Sequence, residues 1–214
     1  MTIESLRRYT SLPVLLDILY QKSLTLLDPQ SWDDKNDSYF IELYKKAFHF
    51  ESVLALCFVE SSEKYHHWKI FSGSSCGVCV EFNKEKLLNN FNNSKGFRTG
   101  YVNYKTIREM EINNLDIHLL PFIKRVAFKD DNEFRILYES ESAKVLYKIV
   151  SINLDCISKI IINPWISKLA YNSVRAVIKM IDGCIDIPIT NTRLTNNDQW
   201  KKLGNKMLNR LELN

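Results

Sequence analysis

The residues best suited to chemistry lie in one stretch, Lys129-Asp-Asp-Asn-Glu-Phe-Arg-Ile-Leu-Tyr-Glu139. It reads as an acidic turn running into a strand. Strand side chains alternate, so Phe134, Ile136 and Tyr138 share one apolar face and belong to a core. Glu133, Arg135, Leu137 and Glu139 share the other. A guanidinium two residues from a carboxylate on one face can hold it in place and keep it ionised. A fixed anion in a cleft stabilises positive charge that develops during a reaction. The competing reading of the same face is plain solvation, the state of most charged residues.

Other constellations are weaker. Cys76-Gly-Val-Cys79 has the spacing of a redox pair or half a zinc site, but no second cysteine pair accompanies it. Buried apolar thiols are the expected state. Asp33, Asp34 and Asp37 place three carboxylates in a short segment that could hold Mg²⁺ for phosphodiester chemistry. Against this, Asp and Asn side chains in such loops commonly bond nearby amides, with Trp32 as the packing anchor. There is no glycine-rich phosphate loop and no Gly-x-Ser-x-Gly elbow, which argues against P-loop enzymes, Rossmann dehydrogenases and serine hydrolases.

These residues need elements to position them. Leu6–Tyr9 reads as a strand, followed by a helix capped by Ser11 with Pro13 in its first turn. Leu24–Leu27 is a second strand. Residues 28–37 read as a polar loop, and helical periodicity resumes from Tyr39 to Phe50. Ser52–Val59 is apolar throughout, as expected of a central strand buried on both faces. Ser61–Phe71 is a short helix bearing His67 and Trp68, and Val78–Phe82 is another strand. Lys84–Phe91 is helical, Phe97–Tyr104 one strand, Ile107–Leu115 a helix and Pro121–Phe128 partly extended. Val145–Ile152 and Ile160–Ile162 are further strands. Ser167–Ile181 is a helix burying Leu169, Val174, Val177 and Ile181. Ile185–Ile189 is an edge strand because of its proline. Asn197–Leu211 closes the chain as a helix striped by Trp200, Leu203, Met207 and Leu211. The pattern predicts one α+β domain over residues 1–214. It has a mixed or antiparallel sheet flanked by helices, and a helical C-terminal extension from about residue 165 to 214.

Composition sets limits. The 214 residues are 45% hydrophobic and 25% charged, enough for one substantial core in an ordinary globular chain. Net charge is +4, which permits contact with an anionic ligand or nucleic acid without requiring it. Five cysteines, an odd number, and an N-terminus without an apolar leader segment predict reduced thiols in the cytoplasm and no membrane association.

One reaction would use Arg8-Tyr9-Thr10-Ser11, the His67-Trp68 helix and Glu133 together: transfer of ADP-ribose from NAD⁺ through an oxocarbenium-like transition state. A carboxylate bonding the ribose 2′-OH stabilises the developing charge. An arginine near the first strand pairs with the pyrophosphate, and an aromatic ring stacks on the nicotinamide.

The chain resembles a family of bacterial proteins of unknown function. The marks are Arg8-Tyr-Thr-Ser11, Leu24–Leu27 leading to Trp32-Asp-Asp-Lys-Asn-Asp37, Cys57-Phe58 before His67-Trp68, Gly77–Phe82 and Glu133-Phe-Arg-Ile136. The order of parts also resembles the ADP-ribosyltransferase fold, especially the toxins that modify DNA. That resemblance implies an ADP-ribosyltransferase-like fold, NAD⁺ as substrate, and Arg8 and Glu133 as catalytic residues. It also implies Arg8, Tyr9, Thr10, Ser11, His67, Trp68 and Arg135 as the NAD⁺ contacts. Asp131-Asn-Glu133 resembles the Glu-x-Glu or Gln-x-Glu pair of the arginine-directed members, with Asp131 as a departure. Ser72-Gly-Ser-Ser75 is a loose stand-in for their Ser-Thr-Ser motif.

Three readings follow. The first is an NAD⁺-dependent ADP-ribosyltransferase-like enzyme, a toxin or phage-defence effector with a nucleic-acid or protein acceptor. It needs Arg8 and Glu133 on neighbouring strands of one cleft, with Glu133→Gln abolishing turnover and leaving folding intact. The second is a metal-dependent nuclease, which needs Asp33, Asp34 and Asp37 in that cleft. The third is a non-catalytic binding module of a defence or toxin–antitoxin system, which needs no cleft.

Overall fold

A computed structural model describes residues 4–72, 76–92, 94–112 and 116–211, with side chains to 208. The chain opens with strand β1 (Ser5–Ser11) and turns directly into helix α1 (Leu12–Gln21). Pro13 lies in the first turn, where a missing N–H breaks no bond. Ser11 occupies the capping position, but contrary to expectation its side chain makes no capping bond. Lys22 takes left-handed backbone and ends the helix before β2 (Ser23–Leu27).

Helix α2 (Lys35–Ala47) starts four residues before the apolar periodicity does. Asp34 caps it by accepting from the Asn36 N–H. Its first turn is polar, so periodicity is silent there, and Asp37 lies in the helix rather than in a loop.

Strand β3 (Ser52–Val59), helix α3 (Tyr65–Phe71), strand β4 (Gly77–Asn83) and helix α4 (Lys84–Asn89) follow. The segment expected as one strand is two, β5 (Phe97–Tyr101) and β6 (Asn103–Lys105), which join different sheets. Helix α5 (Ile107–Ile112) comes next, and strand β7 (Ile123–Arg125) lies between two 3₁₀ turns. The second turn, Val126–Asp131, ends at left-handed Asn132 and launches β8 (Glu133–Ser140).

Strands β9 (Tyr147–Ser151) and β10 (Ile157–Ile162), helix α6 (Lys168–Met180), strand β11 (Ile189–Asn191) and helix α7 (Asp198–Leu211) complete the chain. The edge strand therefore begins at Ile189, after Pro188, rather than spanning Ile185–Ile189. It pairs in parallel with β10 at the edge of the sheet. Among the described residues, no helix is long and apolar enough to cross a membrane.

The main sheet is mixed. Its order is β11-β10-β4-β1-β3-β2-β9, with β8 on the other edge of β3 and β5 beyond it. Only β10 and β11 run parallel within it. Leu15, Ile18 and Leu19 of α1, Leu87 of α4 and Ile178 of α6 cover one face together with Leu6, Leu54, Phe58 and Val80. Helices α2 and α3 cover parts of the other, through Ile41 and Tyr44 against Val53, and Trp68 against Tyr9 and Val59.

The feature that creates the site is a fork. Strand β8 pairs with β3 along its whole length. The opposite edge of β3 is shared, with β1 meeting it at Val59 and β2 at Ala55. Between those two points the edge has no partner strand, and a carbonyl stranded there needs another donor. Arg8 supplies it, donating NH1 to the Cys57 carbonyl at 3.1 Å.

Helix α6 buries part of the expected stripe, Val174 and Ile181, but not Leu169 and Val177. Leu169 is 81% exposed and Val177 is exposed, whereas Ile178 and Ile181 are buried and Tyr171 and Val174 pack against the core. The helix carries two overlapping apolar stripes, and only contact with the sheet selects one. Ile178→Ala is expected to cost about 2–4 kcal/mol in urea unfolding, and Leu169→Ala less than about 0.5 kcal/mol. Equal losses would show that the helix packs by its other face.

Candidate active site

The site lies on the β8 face opposite Phe134 and Ile136. Across the β3–β8 ladder, Val59 stands opposite Glu133, Cys57 opposite Arg135 and Ala55 opposite Leu137. On the other edge of β3, Val59 also stands opposite Arg7. Arg7, Val59 and Glu133 thus form one row across three strands, about 10 Å from end to end at ordinary strand spacing. Arg8 and Glu133 are not on adjacent strands. They flank β3, and both line the same cavity of about 440 Å³, a volume ordinary for a small-molecule site.

Arg135 organises the floor. It is fully buried, and all five guanidinium donors are engaged. Nε donates to Glu133 Oε1 at 2.6 Å and NH2 to Glu133 Oε2 at 3.2 Å. NH1 and NH2 grip Asp37 Oδ1 and Oδ2 at 2.8 and 2.5 Å, and NH1 also donates to the Pro121 carbonyl. Trp32 lies over the guanidinium, 5.0 Å from its ring centroid.

Lys124 completes the cluster, with Nζ 3.1 Å from Glu133 Oε2 and 3.0 Å from Asp131 Oδ2. Three carboxylates face two cations, a formal excess of one negative charge, and burial raises the Asp37 carboxyl despite the grip of Arg135. Burial by itself would raise the Glu133 carboxyl, but Arg135 and Lys124 outweigh it and hold it at about 2. The same carboxylates raise Lys124 despite its burial, so it stays protonated. Tyr104 accepts the Glu133 backbone N–H at 2.9 Å and pins the start of the strand.

Arg8 sits opposite this floor. Burial pushes its guanidinium below its ordinary value, though arginine remains charged at neutral pH. Among the described residues no carboxylate pairs with it, and its buried Nε has no partner. Arg7 differs in having a carboxylate partner, Glu81 at 2.8 Å, and it donates to the Ser61 carbonyl, although its own buried Nε is likewise unbonded.

The remaining expected contacts divide. Tyr9 lines the cavity, with a buried hydroxyl that faces the Cys79 thiol. His67 and Trp68 do not line it. They pack edge-on beneath Tyr9, with ring centroids at 5.4 and 5.1 Å. Helix α3 presents Ile70 and Phe71 to the cavity instead, because those side chains fall on its outer face. His67 is held near the Asp130 carbonyl at 3.2 Å, and burial lowers its pKa, so it is neutral at pH 7. Thr10 and Ser11 pair with Val78 and Gly77 in the sheet and do not reach the cavity. Arg135 does not line the cavity; every donor is used, two of them on Glu133.

The acidic segment does enter the cavity, since Asp33, Asp34 and Asp37 all line it. They do not converge on a common point: Asp34 caps α2 and Asp37 is locked to Arg135. Among the described residues no group of three or more His, Cys, Asp or Glu side chains could hold a metal ion. Cys79 is buried and its thiol is pushed up to about 12 by burial, whereas Cys76 is exposed. Ser72 of Ser72-Gly-Ser-Ser75 is described, and positions 73–75 lie outside the described residues.

Lys124, Tyr104 and Phe71 were not anticipated. Lys124 had a faint signal as a charge inside the apolar run Pro121–Phe128. The other two had none.

No family model and no curated protein matches the chain, so the expected bacterial family of unknown function has no matching model behind it. Among solved structures the chain is similar to DarT from Thermus sp. 2.9 in complex with carba-NAD⁺, at 11% identity and a TM-score of 0.46, covering 91% of this chain and 97% of that one. It is similar also to the complex of that protein with NAD⁺, at 11% identity and a TM-score of 0.45, covering 90% and 97%.

Proposed function

We propose that the chain is an NAD⁺-dependent ADP-ribosyltransferase-like enzyme. One observation carries the reading. A buried carboxylate held ionised, Glu133, lines the same cavity as Arg8, a half-buried arginine that among the described residues lacks a carboxylate partner and whose buried Nε is unbonded. NAD⁺ supplies a nicotinamide–ribose bond whose cleavage develops positive charge on the ribose.

The residues suit each part of such a substrate. The cluster around Glu133 has a formal excess of negative charge and is already oriented by Arg135 and Lys124, so it meets developing positive charge without reorganising. Arg8 has an unused Nε donor for a pyrophosphate oxygen, and charge-assisted bonds of this kind are the strong ones. Tyr9, braced by His67 and Trp68, offers an aromatic wall. The acceptor, a nucleic acid or a protein, belongs to the same proposal, as does a setting in toxicity or phage defence.

Calorimetric titration with NAD⁺ tests it. Binding is expected, with Arg8→Ala weakening it about tenfold to a hundredfold, the worth of a charged hydrogen bond. No binding to the wild type at millimolar concentration would remove the enzyme reading. The nuclease reading gains no support from carboxylates already committed to a cap and to Arg135.

A further inference from the structure

The described side chains of helix α7, Asp198 to Leu208, stand out from the fold. Every residue from Asp198 to Leu208 is exposed, including Trp200, Leu203, Met207 and Leu208, each at least half exposed. Trp200, Leu203 and Met207 recur at positions i, i+3 and i+7, so they form one stripe, with Leu208 at its border. A single helix of this length is marginal in water, because helices in proteins draw most of their stability from packing an apolar face. Gly204 within it weakens it further. The helix therefore has an apolar face that calls for a surface to cover it.

Its charge says what kind of surface. The segment Asp198–Leu211 holds Lys201, Lys202, Lys206 and Arg210 against a single acid, Asp198. That is +3 of the +4 carried by the whole chain. A second copy would bring +3 against +3, which opposes pairing. A nucleic-acid backbone would satisfy the lysines but leave the tryptophan, leucines and methionine in water. At about 100° per residue, Lys201 and Lys206 fall on the two flanks of the stripe, and Lys202 points directly away from Trp200. A groove on a protein contacts only the flanks of a helix, and would leave Lys202 unused. A planar anionic surface acts on every charge within a Debye length, about 8–10 Å, which is close to the helix diameter.

We infer that α7 is a membrane-surface helix. It lies in the headgroup region of an anionic bilayer, with Trp200, Leu203, Met207 and Leu208 inserted and the lysines in the negative surface potential. This peripheral attachment is distinct from spanning, departs from the expectation of no membrane association, and does not depend on the enzymatic reading.

The test is sedimentation of the full chain with vesicles of phosphatidylcholine containing roughly one third phosphatidylglycerol, and with vesicles of phosphatidylcholine alone. Binding to the anionic vesicles only is expected, with a gain in helical circular dichroism. Raising salt from about 0.1 M to about 1 M should release the protein. The triple change Lys201→Gln, Lys202→Gln and Lys206→Gln should weaken binding about a hundredfold. The change Trp200→Ser with Leu203→Ser should weaken it at least tenfold with the lysines intact. All these positions are exposed, so thermal melts of the variants should match the wild type.

Failure to bind anionic vesicles overturns the inference, as does equal binding to neutral ones or indifference to both variants. Concentration-dependent dimerisation abolished by the serine variant would assign the face to a second copy instead. Duplex DNA binding that depends on the lysines and not on Trp200, without vesicle binding, would assign it to nucleic acid.

Discussion

Arg135→Met is expected to lower the free energy of unfolding by about 3–5 kcal/mol, the scale for removing one partner of a buried ion pair. Methionine occupies similar space, so the loss does not come from a cavity. The change leaves Glu133, Asp37 and the Pro121 carbonyl without the five bonds that Arg135 makes. Lys124 alone then faces three buried carboxylates. Urea unfolding at neutral pH measures the loss, and a value under about 1 kcal/mol would show that the cluster is solvated rather than buried.

The same variant has a signature in acid. The folded Glu133 carboxyl sits at about 2, below its ordinary 4.5. A depressed acid contributes stability that is fully present above the ordinary value and is lost as pH falls toward the folded one. The wild type should therefore lose about 3 kcal/mol from this group between those limits. In Arg135→Met the folded value rises toward or above the ordinary one, so the loss over that window shrinks or reverses. Equal acid slopes in the two proteins would show that Arg135 is not what holds Glu133 ionised.

Glu133→Gln is expected to lower NAD⁺ turnover about 10²–10³-fold, the usual effect of removing one preorganised charge from a transition state. Affinity for NAD⁺ should change much less, because Arg8 and the aromatic wall are untouched. The structure alters the control that this experiment needs. Glu133 was expected to tolerate the change without loss of stability. It is buried, and both its oxygens accept from Arg135 and Lys124. Glutamine replaces charged acceptors with one neutral acceptor and an amide NH2 donor that faces those cations. A stability loss of about 1–3 kcal/mol should accompany the activity loss. Turnover must be compared at a temperature where both proteins are folded, as monitored by circular dichroism. Wild-type turnover in the folded variant would remove Glu133 from the chemistry.

Residues near in sequence were legible from the sequence. Alternation along Glu133–Glu139 separated core from polar face, since strand side chains alternate whatever the neighbours are. The apolar run Ser52–Val59 could only be a central strand. The pairing of Arg135 with Glu133 also follows from that alternation, being two residues along one face. What the sequence could not supply was every relation across strands. That Arg7, Val59 and Glu133 form one row, and that β1 and β2 part to leave a gap filled by Arg8, depends on register, which no local pattern encodes.

Helix α2 is a second case. Its first turn is polar, so periodicity placed Asp37 in a loop with metal-binding potential, while the fold turns it inward onto Arg135. Helices α6 and α7 are a third. Each carries apolar stripes readable at helical spacing, but a stripe says only that something should cover it. For α6 the sheet chose Ile178 over Leu169. For α7 the described stripe, Trp200, Leu203 and Met207, stays exposed. Glu133 and Arg135 came from spacing along one chain segment. The cavity that makes them a site came from long-range pairing, because a cleft is a relation between strands and not a property of any one of them.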